Sequence, residues 1–149
     1  MYTHILIATD GSDVAKNGLD HGLSLAKALS SKVTIVTVTE PFPLMAGATA
    51  TGWVAGPEDI NRYEAGQESF AKGVLVSAKA AADRAGVAAD TLHVPDRWPA
   101  DAIIEVAEAR GCNLIVMASH GRRGLGRLIL GSQTSEVLAH SKIPVLVVR

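Results

Sequence analysis

Short, uninterrupted apolar runs alternate along this chain with longer stretches in which apolar residues recur every three or four positions. Ile5-Leu6-Ile7-Ala8 has no polar alternation, as expected of a strand covered on both faces. Ser12 and Asp13 then supply an N-cap and an acidic first turn, and Ala15, Leu19, Leu23, Ala26 and Leu29 follow at helical spacing. A second strand is predicted from Val33 to Val38 and is broken by Glu40-Pro41-Phe42-Pro43. From Pro41 to Pro57 there is no periodicity; the stretch reads as a long loop within the domain, with Trp53 packed on its flank or serving as a lid. A long helix is predicted from Glu58 to Ala85 with Phe70, Val74, Ala78, Ala81 and Ala85 on one face, ended by Gly86. Thr91 to Val94 is a third, weaker strand. Pro99 opens a helix in which Ala100, Ile103, Ile104 and Ala107 share a face, stopped by Arg110-Gly111. Leu114 to Ala118 is the fourth strand, Ser132 to His140 a helix, and Val145 to Val148 the fifth strand.

Strand and helix alternating in this way imply right-handed crossovers and a parallel sheet with helices on both faces. Five strands favour an open, doubly wound α/β sheet over a closed barrel. The length of 149 residues fits one domain, residues 1–149. In such a sheet ligands bind outside the carboxyl ends of the strands, where the winding reverses, so the loops that follow the strands are the place to look for function.

Composition narrows the classes. Hydrophobic residues make up 48% of the chain and charged residues 19%, which excludes intrinsic disorder. Fourteen basic against fifteen acidic residues leave a net charge of −1, without the broad positive footprint of a nucleic-acid binder. The apolar runs fall well short of the roughly 20 residues of a membrane span, and the start of the chain lacks the basic region of a signal peptide. With one cysteine, Cys112, no internal disulfide forms, and a reducing cytoplasm is the expected location.

Two of the post-strand loops carry candidate chemistry. Ser119-His120-Gly121-Arg122-Arg123-Gly124-Leu125-Gly126-Arg127, after the fourth strand, leads to Gly131-Ser132 at a helix start. Glycines leave backbone amides free to approach an anion, and the helix dipole and the arginines favour one: a phosphate cradle. Thr9-Asp10-Gly11-Ser12-Asp13, after the first strand, has the opposite character. Its carboxylates repel polyphosphate, but at a strand end they accept hydrogen bonds from ribose hydroxyls. Asp13 fits the simpler role of an acidic residue in a helix first turn equally well. A loop suited to phosphate opposite one suited to sugar points to a nucleotide lying across the point where the winding reverses.

The chain resembles the universal stress protein family on three segments: Ile-Leu-Ile-Ala-Thr-Asp-Gly-Ser near its start, Leu-Ile-Val-Met-Ala-Ser-His-Gly-Arg-Arg-Gly-Leu-Gly-Arg-Leu-Ile-Leu-Gly-Ser, and the closing Ile-Pro-Val-Leu-Val-Val-Arg. The resemblance extends over essentially the whole chain. It implies strand order 3-2-1-4-5, a Rossmann-like adenine-nucleotide fold, a role in the stress response, and ATP, with or without Mg2+, as ligand. ATP-binding members carry G-x2-G-x9-G-[ST]; here Gly121, Gly131 and Ser132 fill the second glycine, the third glycine and the hydroxyl position, with nine residues between the glycines. Ala118 stands at the first glycine position. A methyl group there weakens phosphate binding if the backbone must be left-handed or bare, and costs little in an ordinary strand end.

By the same resemblance Asp10 lies near ribose and adenine, Val38 at the base, Met117 and Ala118 beside ribose and phosphates, and Gln133 where a backbone amide meets phosphate. Thr9 and Arg122, in the same two loops, complete the candidate set. Val38 and Met117 also read as plain sheet core. Members of the family commonly pair through the last strand, so a homodimer through Val145 to Val148, an apolar edge, is expected.

Other chemistries lack their residues. No G-x4-G-K-[ST], G-x-G-x-x-G or G-x-S-x-G occurs, and the five histidines share no metal-ligand spacing. Ser119 beside His120 is not read as a nucleophile with its base, because adjacent residues after a strand usually point apart. A phospho-receiver domain is disfavoured because Lys142 precedes the fifth strand instead of following it. Three functions stay open: an ATP-binding regulator with at most slow hydrolysis, a dimeric interaction protein of the same family that binds no nucleotide, and a small-molecule enzyme for which no motif speaks.

Overall fold

The computed structural model describes residues 1–43, 52, 54–121 and 130–149. Strands β1 (His4–Ala8), β2 (Lys32–Val38), β3 (Ala89–Val94), β4 (Leu114–Ala118) and β5 (Val145–Val148) form one sheet in the order β3-β2-β1-β4-β5. All four neighbouring pairs are parallel. The connecting helices are α1 (Asp13–Leu29), α2 (Pro57–Ala85), α3 (Pro99–Ala109) and α4 (Ser132–His140). The chain winds outward from β1 to β3, then returns to place β4 on the other side of β1. The reversal lies between β1 and β4, in the strand order that the family resemblance implied.

Strand side chains alternate between two cores. Ile5, Ile7, Val33, Ile35, Leu114 and Val116 pack with Leu19 and Leu23 of α1 and Leu75 of α2. Leu6, Val36, Ile115 and Met117 pack with Ile103 of α3 and Val137 of α4 on the opposite face. The absence of polar alternation in β1 and β4 follows: both sides of these strands lie under helices. Cys112 belongs to the second core at 5% exposure; burial pushes its thiol pKa up, against smaller opposing effects of a Thr34 hydrogen bond and the Arg110 charge. It is an inert core residue.

Local signals set the helix ends. Ser12 caps α1, its Oγ accepting from the Ala15 N–H at 3.2 Å. Gly86, with φ 71°, ends α2 in the left-handed conformation. Two expectations need correction. Strand β3 begins at Ala89, two residues before Thr91, because the backbone pairing to β2 extends past the β-branched residues, through Val33↔Ala89 and Thr34↔Asp90. The buried stripe of α2 is Ala71, Leu75, Ala78 and Ala82. Of the predicted face only Ala78 is fully buried; small residues bring the helix close to the sheet and leave Phe70 and Val74 at its edge.

A close approach fixes α1. A Cβ placed on Gly22 would lie 2.6 Å from Cδ1 and 2.9 Å from Cγ1 of Ile7, a fully buried side chain. Gly22→Leu is therefore expected to destabilise the protein by about 1–3 kcal/mol through overpacking, although leucine is the better helix former by almost 1 kcal/mol. Urea denaturation checks this, and an unchanged midpoint would contradict it.

Candidate functional site

The strands of a parallel sheet all end on one side, and here the ends of β1, β2 and β4 form the floor of a cleft of about 1020 Å³. That is at the upper end of the ~300–1,000 Å³ typical of small-molecule sites. Thr9, Asp10, Val38, Met117, Ala118, Gly121, Gly131, Ser132 and Gln133 all line it. Of the candidate residues, Arg122 lies outside the described residues, as do Arg123, Arg127 and Trp53. A smaller hollow of about 400 Å³ between α1 and α2 shares Thr9 but none of the other candidates.

The wall after β1 is organised by its own hydrogen bonds. Thr9 N–H donates to Val36 O at 2.9 Å, extending the β1–β2 pairing beyond the strand, and its Oγ1 accepts from Gly11 N–H at 3.3 Å. Asp10 Oδ1 accepts from Ser12 N–H at 3.0 Å, which orients the carboxylate. Asp13 is exposed, lies 3.9 Å from Lys16 Nζ and takes no part in lining the cleft, so its role is that of a helix first-turn acid.

The wall after β4 is built by locking α4 onto the strand end. Gly131 N–H donates to Ser119 O at 2.8 Å, and Thr134 Oγ1 to Ala118 O at 2.9 Å. Gly131 is the N-cap of α4 and, having no side chain, makes no cap bond of its own, so among the described residues no side chain accepts from the amides of the first turn. Gln133 instead uses its side chain to cap the neighbouring helix: Oε1 accepts from Ala100 N–H at the start of α3, at 3.0 Å.

The two walls meet at Gly121. A Cβ there would fall 2.8 Å from Asp10 Oδ2, so any larger residue would make the carboxylate shift away from the loop after β4. A Cβ on Gly131 would lie 3.3 Å from Ser119 O and 3.4 Å from His120 Cα, a tight fit in which the backbone would have to give by a few tenths of an ångström. Ala118 is an ordinary residue of β4, paired with Val148 and without positive φ. The left-handed condition weighed for the missing glycine is thereby removed: a methyl group costs the backbone nothing here.

The cleft also recruits residues that sequence reasoning missed. Tyr63, Gln67 and Phe70 of α2 form one flank, and Trp98 and Pro99 at the start of α3 the other. Tyr63 OH donates to Glu40 O at 3.1 Å and accepts from Gln67 Nε2 at 3.1 Å, and its ring meets Phe42 edge-on at 5.3 Å. The helical spacing of Tyr63, Gln67 and Phe70 placed them on one side of α2, but nothing in the sequence says which side faces the strand ends. Ser119 and His120 do interact, with Oγ 2.9 Å from Nδ1, contrary to the expectation that they point apart. The pair stays unsuited to nucleophilic attack because Ser119 is 2% exposed.

Electrostatically the described cleft lining is poor in cations. It carries the carboxylates of Asp10 and Glu40 and neither lysine nor arginine, so among the described residues positive potential comes from the α4 amides. Among the described residues no cluster of three or more acidic, histidine or cysteine side chains is placed to hold a metal ion, and no helix is long and apolar enough to cross a membrane. Behind the β2 end, His93 Nε2 and Thr39 Oγ1 are 2.8 Å apart. Burial pushes the His93 pKa down, and the Glu68 carboxylate opposes this more weakly.

Comparison with known proteins agrees with this geometry. The profile of the universal stress protein family matches residues 1–149. Universal stress protein YxiE of Bacillus subtilis is 35% identical over 152 residues, covering all of both chains. The solved structure of MJ0577, a universal stress protein of Methanocaldococcus jannaschii, superposes with a TM-score of 0.80 at 28% identity, over 99% of this chain and 96% of that one. A universal stress protein solved in complex with cAMP superposes with a TM-score of 0.73 at 25% identity, over 99% of this chain and 97% of that one.

The His93 environment has a measurable consequence. Its folded pKa lies below the unfolded value of about 6.5, so the unfolded chain binds the extra proton first as pH falls. Stability is fully present above that value and declines through the window between it and the lower folded pKa. Thermal melts between about pH 8 and pH 5 should show this decline, and His93→Gln should make it shallower. Identical slopes in the two proteins would contradict the assignment.

Proposed function

The chain belongs to the universal stress protein family, and from that premise we propose that it is a regulatory protein of the stress response whose signal is an adenine nucleotide bound across the ends of β1 and β4. The observation that carries this reading is the cleft itself. One wall presents an oriented carboxylate at Asp10, the other presents the first turn of α4, whose N-cap is a glycine, and Gly121 lets the two walls touch. A carboxylate suits ribose hydroxyls and repels phosphate; main-chain amides at a helix start do the reverse. The universal stress protein solved with cAMP supports an adenine nucleotide as the ligand class.

In this reading Asp10 accepts from the ribose, and Thr9 holds the turn that aims it. Val38 and Met117 line the base and sugar, and Ala118 flanks the sugar and phosphates. The amides from Gly131 to Gln133, with Gly121 and Arg122 of the preceding loop, hold the phosphates. ATP is the proposed physiological form, and Mg2+ would be carried by the phosphates, not by a protein ligand set. The chain acts as one domain, in the cytoplasm. Two copies pair through β5, an edge strand whose Leu146 is 39% exposed between half-buried Val145 and Val147.

Two measurements test this. Calorimetry should show ATP binding to the wild-type protein and at least about a tenfold loss in Gly131→Val, because the added bulk pushes the loop off the backbone of Ser119 and His120. Unchanged affinity in a variant with wild-type circular dichroism would overturn the phosphate placement. Light scattering should give a dimer at micromolar concentration, and Leu146→Asp should shift it to monomer; a monomeric wild type would remove the β5 pairing.

A further inference from the structure

Trp98 stands at the mouth of the cleft, lines it, and is nevertheless 56% exposed. Among the described phenylalanine, tyrosine and tryptophan side chains it is the only exposed one; Tyr2, Phe42, Tyr63 and Phe70 are all half-buried. An indole has one of the largest apolar surfaces of any side chain, and leaving it open to water forgoes most of the stabilisation its burial would give. Its ring pairs with no other described aromatic ring, whereas Phe42 and Tyr63 satisfy each other.

The main chain beneath it is tightly held. The preceding residue, Arg97, donates its N–H to Thr39 O at 3.2 Å, just past the end of β2. The Trp98 carbonyl accepts from Ala102 N–H at 3.2 Å, and Pro99 fixes the first position of α3. Two residues on, the Ala100 N–H is held by the Gln133 side chain from the start of α4. The segment is thus tied on one side to the strand end assigned to the base and on the other to the helix start assigned to the phosphates. A large ring that is open to solvent while its backbone is fixed by two walls of a binding cleft is arranged to be covered by the ligand.

We propose that Trp98 is the stacking platform for the base of the bound nucleotide, so that selection of an aromatic base over a bare phosphosugar rests largely on this ring. The inference builds on the nucleotide reading above and adds a residue to it: the base lies over the end of β2, with Trp98 on the α3 flank. Stacking is tolerant of base identity because every base has a π-face. The ring therefore contributes affinity for nucleotides as a class, and the edge of the base is left to the backbone around Val38.

The test compares AMP with ribose 5-phosphate, which keeps the sugar and phosphate and lacks the base, on the wild type, Trp98→Ala and Trp98→Phe. Trp98→Ala should weaken AMP binding about five- to hundredfold, the range that loss of one base–aromatic stack produces. Ribose 5-phosphate should bind both proteins within about twofold, and Trp98→Phe should restore most of the AMP affinity. Because the side chain is largely exposed, all three proteins should melt together. Equal AMP affinity in the wild type and a folded Trp98→Ala overturns the stacking role and leaves the nucleotide reading standing. An equal loss for AMP and ribose 5-phosphate also overturns it, since the ring would then be shaping the cleft without touching the base. If the wild type binds ribose 5-phosphate as tightly as AMP, or binds neither, the nucleotide reading itself fails and this proposal fails with it.

Discussion

The carbonyl groups of Ala118 and Ser119 end strand β4, and the start of α4 takes both of them: Thr134 Oγ1 bonds the first and Gly131 N–H the second. A backbone carbonyl buried at a strand end must find a donor, and here the donors come from the start of the next helix. That requirement brings the first turn of α4 beside β4, into the lining of the cleft that Asp10 also lines. The turn after β1 is oriented independently, through Thr9 to Val36 and Asp10 to Ser12. Since β1 and β4 are neighbours at the reversal of the winding, two loops of opposite electrostatic preference are forced to face each other.

Gly121 and Gly131, the two described glycines of the loop after β4, sit where this arrangement leaves little room. A side chain at Gly121 would meet Asp10 Oδ2 and displace it, and one at Gly131 would press on the backbone of Ser119 and His120. Ala118, in contrast, is a paired strand residue whose backbone any amino acid adopts. The departure from the family pattern therefore falls at a strand position whose backbone accepts a methyl group, not at Gly121 or Gly131 where a Cβ would be crowded.

Much of this was legible in the sequence because the signals are local. Ile5-Leu6-Ile7 and Leu114-Ile115-Val116 announce strands buried on both faces, and the Ser12 cap, Pro99 and Gly86 mark helix ends by their own chemistry. The candidate residues of the two loops could be read because each follows its strand directly. What could not be read depends on how distant elements cross. The face of α2 was misjudged because Phe70 and Val74 continue an apolar spacing, whereas close packing favours the smaller Ala71, Ala78 and Ala82. Tyr63 and Trp98 reach the cleft from opposite flanks, and their neighbours there are set by tertiary contacts such as Tyr63 to Glu40 and Arg97 to Thr39. The Asp10–Gly121 approach joins residues more than a hundred positions apart, and no spacing rule anticipates it.

The central claim is that main-chain amides at the start of α4 and the turn carrying Asp10 together hold one nucleotide. Titrating AMP into 15N-labelled protein and following backbone amide resonances examines both walls at once. The account expects the largest shifts at Ser132, Gln133 and Thr134 and at Asp10 to Ser12, saturating with a single dissociation constant. Saturable shifts confined to other parts of the surface, or no shifts at millimolar nucleotide, would contradict it.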